Sequence, residues 1–191
     1  MEIIHDDLLE AGRRGDVNVI VQQCNCLTVL PHGLSQDIAT KFPAYGNIYA
    51  TRTPTSPGKN LARPEDRPMP GTFVCCLPPP HSGDDPAIAC IMGQWRPGSL
   101  AKQYTYPPPP ASLGPETAEK RLQWFKQGFS AMIAYLTTQW SDNVLTVRIG
   151  VPYKIGCGLA GGKWVDYEAF LQETAKNLPP NMSMNMYQLD N

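Results

Sequence analysis

The residues from Val151 to Trp164, VPYKIGCGLAGGKW, place Gly156, Gly158, Gly161 and Gly162 between a short apolar segment and a helical pattern. Glycines let a loop aim several backbone N–H groups inward, and the following helix adds its positive end, so the stretch suits an anion. A plain tight turn is the other reading. A second stretch, Ile20 to Pro43, IVQQCNCLTVLPHGLSQDIATKFP, ends an apolar run in Gln22, Gln23 and Asn25. It then turns at Pro31, His32 and Gly33 into a helix whose first turn carries Ser35, Gln36 and Asp37. Polar residues at a strand's carboxyl end can face a ligand, and the first amides of a helix are free donors. Two such loops could clasp a diphosphate.

Two nucleotide motifs fail against these residues. A phosphate-binding Walker loop would need glycine where Cys157 stands and Ser or Thr where Trp164 stands, around Lys163. The spacing G-x-G-x-x-G is met by Gly156, Gly158 and Gly161, but only one helix and one strand follow it, too little for a dinucleotide-binding domain. Among single residues, His32 could transfer a proton near neutral pH or simply hold a loop. Asp37 could orient a water or stabilise a helix start. Cys157 could be a nucleophile, but no adjacent base is identifiable and a packed small residue fits it better. Trp95 and Arg96 either flank the pocket or anchor a loop.

These residues need a scaffold, and the composition describes one. The chain has 191 residues, enough for one domain with its own core, and we read residues 1–191 as that single domain. A net charge of −1 and the lack of like-charge blocks argue against nucleic acid and anionic membranes. No stretch approaches the ~20 apolar residues of a membrane span, and the charged opening carries no signal core, so a cytoplasmic or nuclear location is expected. The six cysteines lie mostly in apolar runs and read as reduced thiols. With no C-x2-C pair and with His5, His32 and His81 far apart, neither a metal nor another cofactor is expected.

Fifteen of the 20 prolines fall between Pro54 and Pro115, which makes loop insertions of the regions around 50–71, 78–86 and 97–115. Apolar runs predict strands at Met1 to His5, Val17 to Val21, Thr72 to Leu77, Ala87 to Met92, Val144 to Ile149 and Met182 to Leu189. Leu34, Ile38 and Phe42 predict a short helix, Glu116 to about Trp140 a long one and Trp164 to Leu178 a third. Strands interleaved with helices imply an α/β fold: three α/β/α layers around a mixed, largely buried central sheet.

The pairing of V-x-Q-x-C-N and H-G-L with a later I-G-C-G-L-A-G-G-x-W resembles the macrodomain family. That family binds ADP-ribose and often hydrolyses ADP-ribosyl bonds. The second loop is similar to that of a branch containing terminal ADP-ribose glutamate hydrolases and ADP-ribose-1″-phosphate phosphatases. The resemblance implies ADP-ribose or an ADP-ribosylated protein as the partner. It assigns Asp7 to the adenine, Asn25 to the distal ribose with Gln22 beside it, and Gly33 and Leu34 to a first ligand loop, next to which Ser35 in the helix's first turn is a further ligand candidate. Gly156, Cys157, Gly158, Leu159, Ala160, Gly161 and Gly162 form the loop that wraps the diphosphate. Tyr187 either stacks on adenine or belongs to the core. Where the glutamate hydrolases have a catalytic aspartate and lysine this chain has Ala160 and, near a strand exit, Gln94. If the protein is an enzyme, Asn25, His32 and Asp37 are its candidate catalytic groups. A reader of ADP-ribosylated proteins or a metabolite sensor is the competing class.

Overall fold

The computed structural model describes residues 1–101, 105–139 and 146–190. Six strands, β1 (Ile3–His5), β2 (Val19–Asn25), β3 (Phe73–Cys76), β4 (Ala87–Gln94), β5 (Val147–Pro152) and β6 (Met182–Gln188), form one sheet in the order β1-β6-β5-β2-β4-β3. All neighbours are parallel except β3, which lies antiparallel against β4 at one edge. The helices are α1 (Leu8–Arg13), α2 (Leu34–Lys41), α3 (Ala118–Gln139) and α4 (Trp164–Lys176).

Alternation along the central strands explains the layers. On one face, Ile20 and Cys24 of β2 with Ile88, Cys90 and Met92 of β4 pack against Leu8 and Leu9 of α1 and Ile38 and Phe42 of α2. On the other, Val19, Val21, Ala89, Ile91, Ile149 and Val151 meet Phe125, Phe129, Met132 and Leu136 of α3 and Tyr167 and Leu171 of α4. A stretch of strand covered on both sides must be apolar, which is why residues 19–21 of β2 and 87–92 of β4 read as continuous hydrophobic runs rather than alternating ones. This is the expected three-layer α/β/α arrangement around a mixed sheet.

Several boundaries differ from the sequence expectations. Helix α1 has no counterpart among them, because its six residues are too few for a 3.6-residue period to register. Strand β2 starts at Val19 and runs on through the polar Gln22, Gln23 and Asn25, with an irregularity in its pairing to β4 between Gln23 and Asn25. Strand β4 likewise extends to Gln94, and β5 to Pro152. Helix α3 begins at Ala118 rather than Glu116, whose carboxylate accepts from the Trp95 backbone instead. Trp140 and the expected strand start at Val144 lie outside the described residues. Helix α4 stops at Lys176, with Asn177 as its cap. Among the described residues no helix is long and apolar enough to cross a membrane.

Candidate ligand cleft

Strands β2, β4 and β5 end side by side, and their carboxyl ends open into a cleft of about 600 Å³. The crevice outside these ends is where parallel sheets collect ligands. One wall is the β2–α2 loop with Asn25, Thr28, Leu30, His32, Gly33, Leu34 and Ser35; the other runs from Pro152, at the end of β5, to Ala160, Cys157 excepted. Gln23 and Gln94 line the cleft, and their side-chain amides are joined by a 3.0 Å hydrogen bond across adjacent strands. The Gln23 Oε1 atom itself is buried with no hydrogen-bond partner among the described residues.

Asn25 organises the first wall. Its Oδ1 accepts from the Leu27 and Thr28 amides at 2.9 and 2.8 Å, and its Nδ2 donates to Thr28 Oγ1 at 2.9 Å. The Asn25 amide donates to the buried Tyr49 hydroxyl at 3.2 Å. Below, Gln22 accepts from the Ser35 hydroxyl at 2.7 Å, fastening the start of α2 to β2. From outside, the proline-rich segment braces the same loop: Asn60 Oδ1 accepts from the Val29 and Leu30 amides, and the buried Arg52 donates to the Thr28 carbonyl at 2.8 Å.

Gly33 precedes α2 with φ +59° and ψ −136°, a conformation essentially reserved for glycine. The helix opens with no side-chain cap, and the Leu34 and Ser35 amides have no hydrogen-bond partner among the described residues, as is true of the Gly158, Leu159 and Ala160 amides opposite. The two walls nearly touch at the mouth, where Leu159 Cδ1 lies 3.4 Å from the place a side chain on Gly33 would take. Unbonded amides on both walls give the cleft donors of the kind that suit an anion. Lys154 lines it too, held at φ +57°, and no carboxylate stands among its described lining residues.

Of the residues chosen from sequence, Gln22, Asn25, His32, Gly33, Leu34, Ser35, Gly156, Gly158, Leu159 and Ala160 converge on this cleft. Gly161 and Gly162 sit behind them in the turn, donating to the Gly158 and Gly156 carbonyls. Asp37 is exposed on α2 and off the lining. Asp7 caps α1, its carboxylate accepting from Leu9 and Glu10 amides at 2.7 and 3.2 Å. Tyr187 is buried in the core on β6. Cys157 is half-buried beside the loop; burial pushes its thiol up to about 11, and its Sγ donates to the Ile155 carbonyl. Trp95 anchors a loop, donating from Nε1 to the Pro107 carbonyl at 2.8 Å.

A protonated thiol is a poor nucleophile, so Cys157 is expected to react with iodoacetamide at pH 8 far more slowly than a free cysteine. Moving the pKa from 9.0 to about 11 leaves about a hundredfold less thiolate. Labelling at the rate of free cysteine would contradict this.

Sequence reasoning passed over Thr28, Tyr49, Asn60, Lys154 and Arg121. Thr28 and Lys154 lie inside the two stretches but carried no assignment there, and Tyr49 and Asn60 are separated from any motif. Arg121, in the first turn and a half of α3, is buried, and its guanidinium donates to the Ala160 carbonyl at 2.8 Å. Among the described residues no group of three or more His, Cys, Asp or Glu is placed to hold a metal ion.

No protein-family model and no curated protein matches this sequence. Solved structures do. The macrodomain of Thermus aquaticus DarG superposes with a TM-score of 0.61 at 15% identity, over 100% of this chain and 97% of that one. The macrodomain of Mycobacterium tuberculosis DarG gives 0.61 at 16% identity, over 97% and 96%. The chain has the macrodomain fold. At such identity the likeness is one of architecture. In this macrodomain fold, the cleft walls are the loops after β2 and β5, the two stretches singled out by their residues alone.

Proposed function

We propose that the cleft binds ADP-ribose, free or attached to a protein, and hydrolyses the linkage at the distal ribose. The activity would be that of the macrodomain branch whose second loop reads I-G-C-G-L. The observation that carries the reading is the pair of facing loops with unbonded amides at the ends of β2 and β5. A diphosphate would take the Leu34 and Ser35 amides on one side and those of Gly158 to Ala160 on the other. The distal ribose would then lie toward Asn25 and Gln94. A water positioned by Asn25, His32 or the substrate's own phosphate attacks the anomeric carbon, and the acceptor leaves with a proton. With no carboxylate among the described lining residues, the protein would act mainly by positioning and by stabilising charge. The proline-rich segments around 50–71 and 97–115 extend the rim of a single unit, which is supported by Asn60, Pro97, Gly98 and Tyr106 in the lining.

A second reading, a non-catalytic reader of ADP-ribosylated protein, is favoured by one feature. Asn25 Oδ1, the natural acceptor for an attacking water's proton, already accepts from two backbone amides. Calorimetry with ADP-ribose, ADP, NAD and AMP tests binding, and ADP-ribose is expected to bind at least tenfold more tightly than AMP because the loops serve groups AMP lacks. Equal affinities would remove the assignment. Release of ADP-ribose from modified protein, and of phosphate from ADP-ribose-1″-phosphate, separates enzyme from reader. Asn25→Asp keeps an acceptor for the Leu27 and Thr28 amides and removes the Nδ2 donor. In a hydrolase it is expected to lower turnover more than it weakens binding, by about tenfold or more.

A further inference from the structure

Behind the cleft, Arg121 of α3 and Glu116 just before it form a buried ion pair that touches two separate segments of its rim. Arg121 and Glu116 have side chains only 3% and 5% exposed and meet at 2.8 Å. The remaining donors of the guanidinium do not go to solvent. Nη1 donates to the Gly98 carbonyl at 2.7 Å and to the Ala160 carbonyl at 2.8 Å, and Nη2 to the Arg96 carbonyl at 3.1 Å. Glu116 completes the assembly by accepting from the Trp95 amide at 2.8 Å, with the Arg96 guanidinium 3.5 Å away. Gly98 and Ala160 both line the cleft, the first from the segment after β4 and the second from the glycine loop after β5. The two segments also pack together beside this pair: a Cβ placed on Gly161 would lie 3.0 Å from Ser99 Oγ.

We infer that Arg121 is a positioning residue whose buried guanidinium, pivoting on Glu116, locks the 96–98 segment and the 156–162 loop into one rigid lip of the cleft. Burying a charged pair is costly, and a well-packed apolar pair of similar volume would serve stability as well or better. What the apolar pair could not do is offer a planar fork to three carbonyls from two separate segments. Drawing the Ala160 carbonyl toward Arg121 turns that end of the glycine loop away from the cleft and leaves the Gly158, Leu159 and Ala160 amides free for the ligand. The affinity consequence rests on the ADP-ribose reading above; the mechanical consequence does not.

The test compares wild type with Arg121→Lys, with the double variant Glu116→Gln/Arg121→Met, and with Met132→Ala, a core truncation farther along α3 that touches neither lip. Amide hydrogen exchange of the free protein is followed, well below the unfolding transition, at the hydrogen-bonded amides of the two segments: Trp95 and Arg96 on one side, Cys157, Gly161 and Gly162 on the other. Both lysine and double variants are expected to exchange at least tenfold faster than wild type in both segments together, while Met132→Ala matches wild type there. Lysine keeps the charge but cannot fork to several carbonyls, so it separates geometry from charge. ADP-ribose affinity is expected to fall at least tenfold in the same two variants. Unchanged exchange in either segment, wild-type behaviour of Arg121→Lys, or equal acceleration in Met132→Ala would each overturn the inference. Failure of wild type to bind ADP-ribose would instead count against the proposed ligand, with the exchange result still deciding the lock.

Discussion

Gly158→Val is expected to leave the fold intact and to weaken ADP-ribose binding by about a hundredfold or more, which corresponds to roughly 2.7 kcal/mol or more. The position is exposed, its backbone lies outside the left-handed region, and a Cβ there would meet nothing within 4 Å among the described residues. The substitution therefore costs the unliganded protein little. A diphosphate lying against the Gly158 to Ala160 amides, however, would need the space that the valine methyl groups occupy. Thermal unfolding should move by no more than a degree or so, while calorimetry loses the binding heat. Normal affinity in this variant would place the phosphates elsewhere. Gly161 is a poorer choice for the same question, since its φ of +73° and the nearby Ser99 would strain any side chain before a ligand arrives.

Gly156→Ala, two residues earlier, is expected to behave in the opposite way and to destabilise the fold itself by about 3 kcal/mol or more. Two costs combine. The backbone holds φ at +74°, where a side chain is strained, and the added carbon would lie 2.5 Å from the Tyr167 ring and 2.6 Å from Gln23 Oε1. Neither neighbour can retreat easily: Tyr167 is buried against Phe125 at a centroid distance of 4.8 Å, and Gln23 is hydrogen-bonded to Gln94. Burial also pushes the Tyr167 hydroxyl up to about 12, as befits a ring sealed beneath the loop. Denaturant titration of Gly156→Ala beside Gly158→Ala checks the contrast. A loss for the first within 0.5 kcal/mol of the second would show that the loop yields and that Gly156 does not fix it.

Both predictions turn on where a glycine sits, and the spacing alone could not separate them. The four glycines between Gly156 and Gly162 marked a loop that could hold an anion, because glycine clusters before a helix have few other uses. Which glycine faces the cleft and which faces Tyr167 follows from the turn in which Cys157, Gly161 and Gly162 donate to the Lys154, Gly158 and Gly156 carbonyls. The strands and longer helices were legible for a similar reason. Burial on both faces forces unbroken apolar runs such as Val19 to Val21 and Ala87 to Met92, and 22 residues of α3 repeat their period several times. Helix α1 escaped because six residues complete fewer than two turns.

What the sequence by itself determined was the layered architecture and the two segments flanking its cleft, since both are written in local patterns of burial and backbone freedom. Only the tertiary structure decided what those segments touch. It brought Arg52 to the Thr28 carbonyl, Asn60 to the Val29 and Leu30 amides, and Arg121 to carbonyls 23 to 39 residues away along the chain. It engaged Asn25 in its own loop and spent the Asp7 carboxylate on a helix cap. Such contacts join residues that share no period and no motif. They exist because parallel strands bring their carboxyl ends together at one edge of the sheet, and buried polar groups gathered there must find partners.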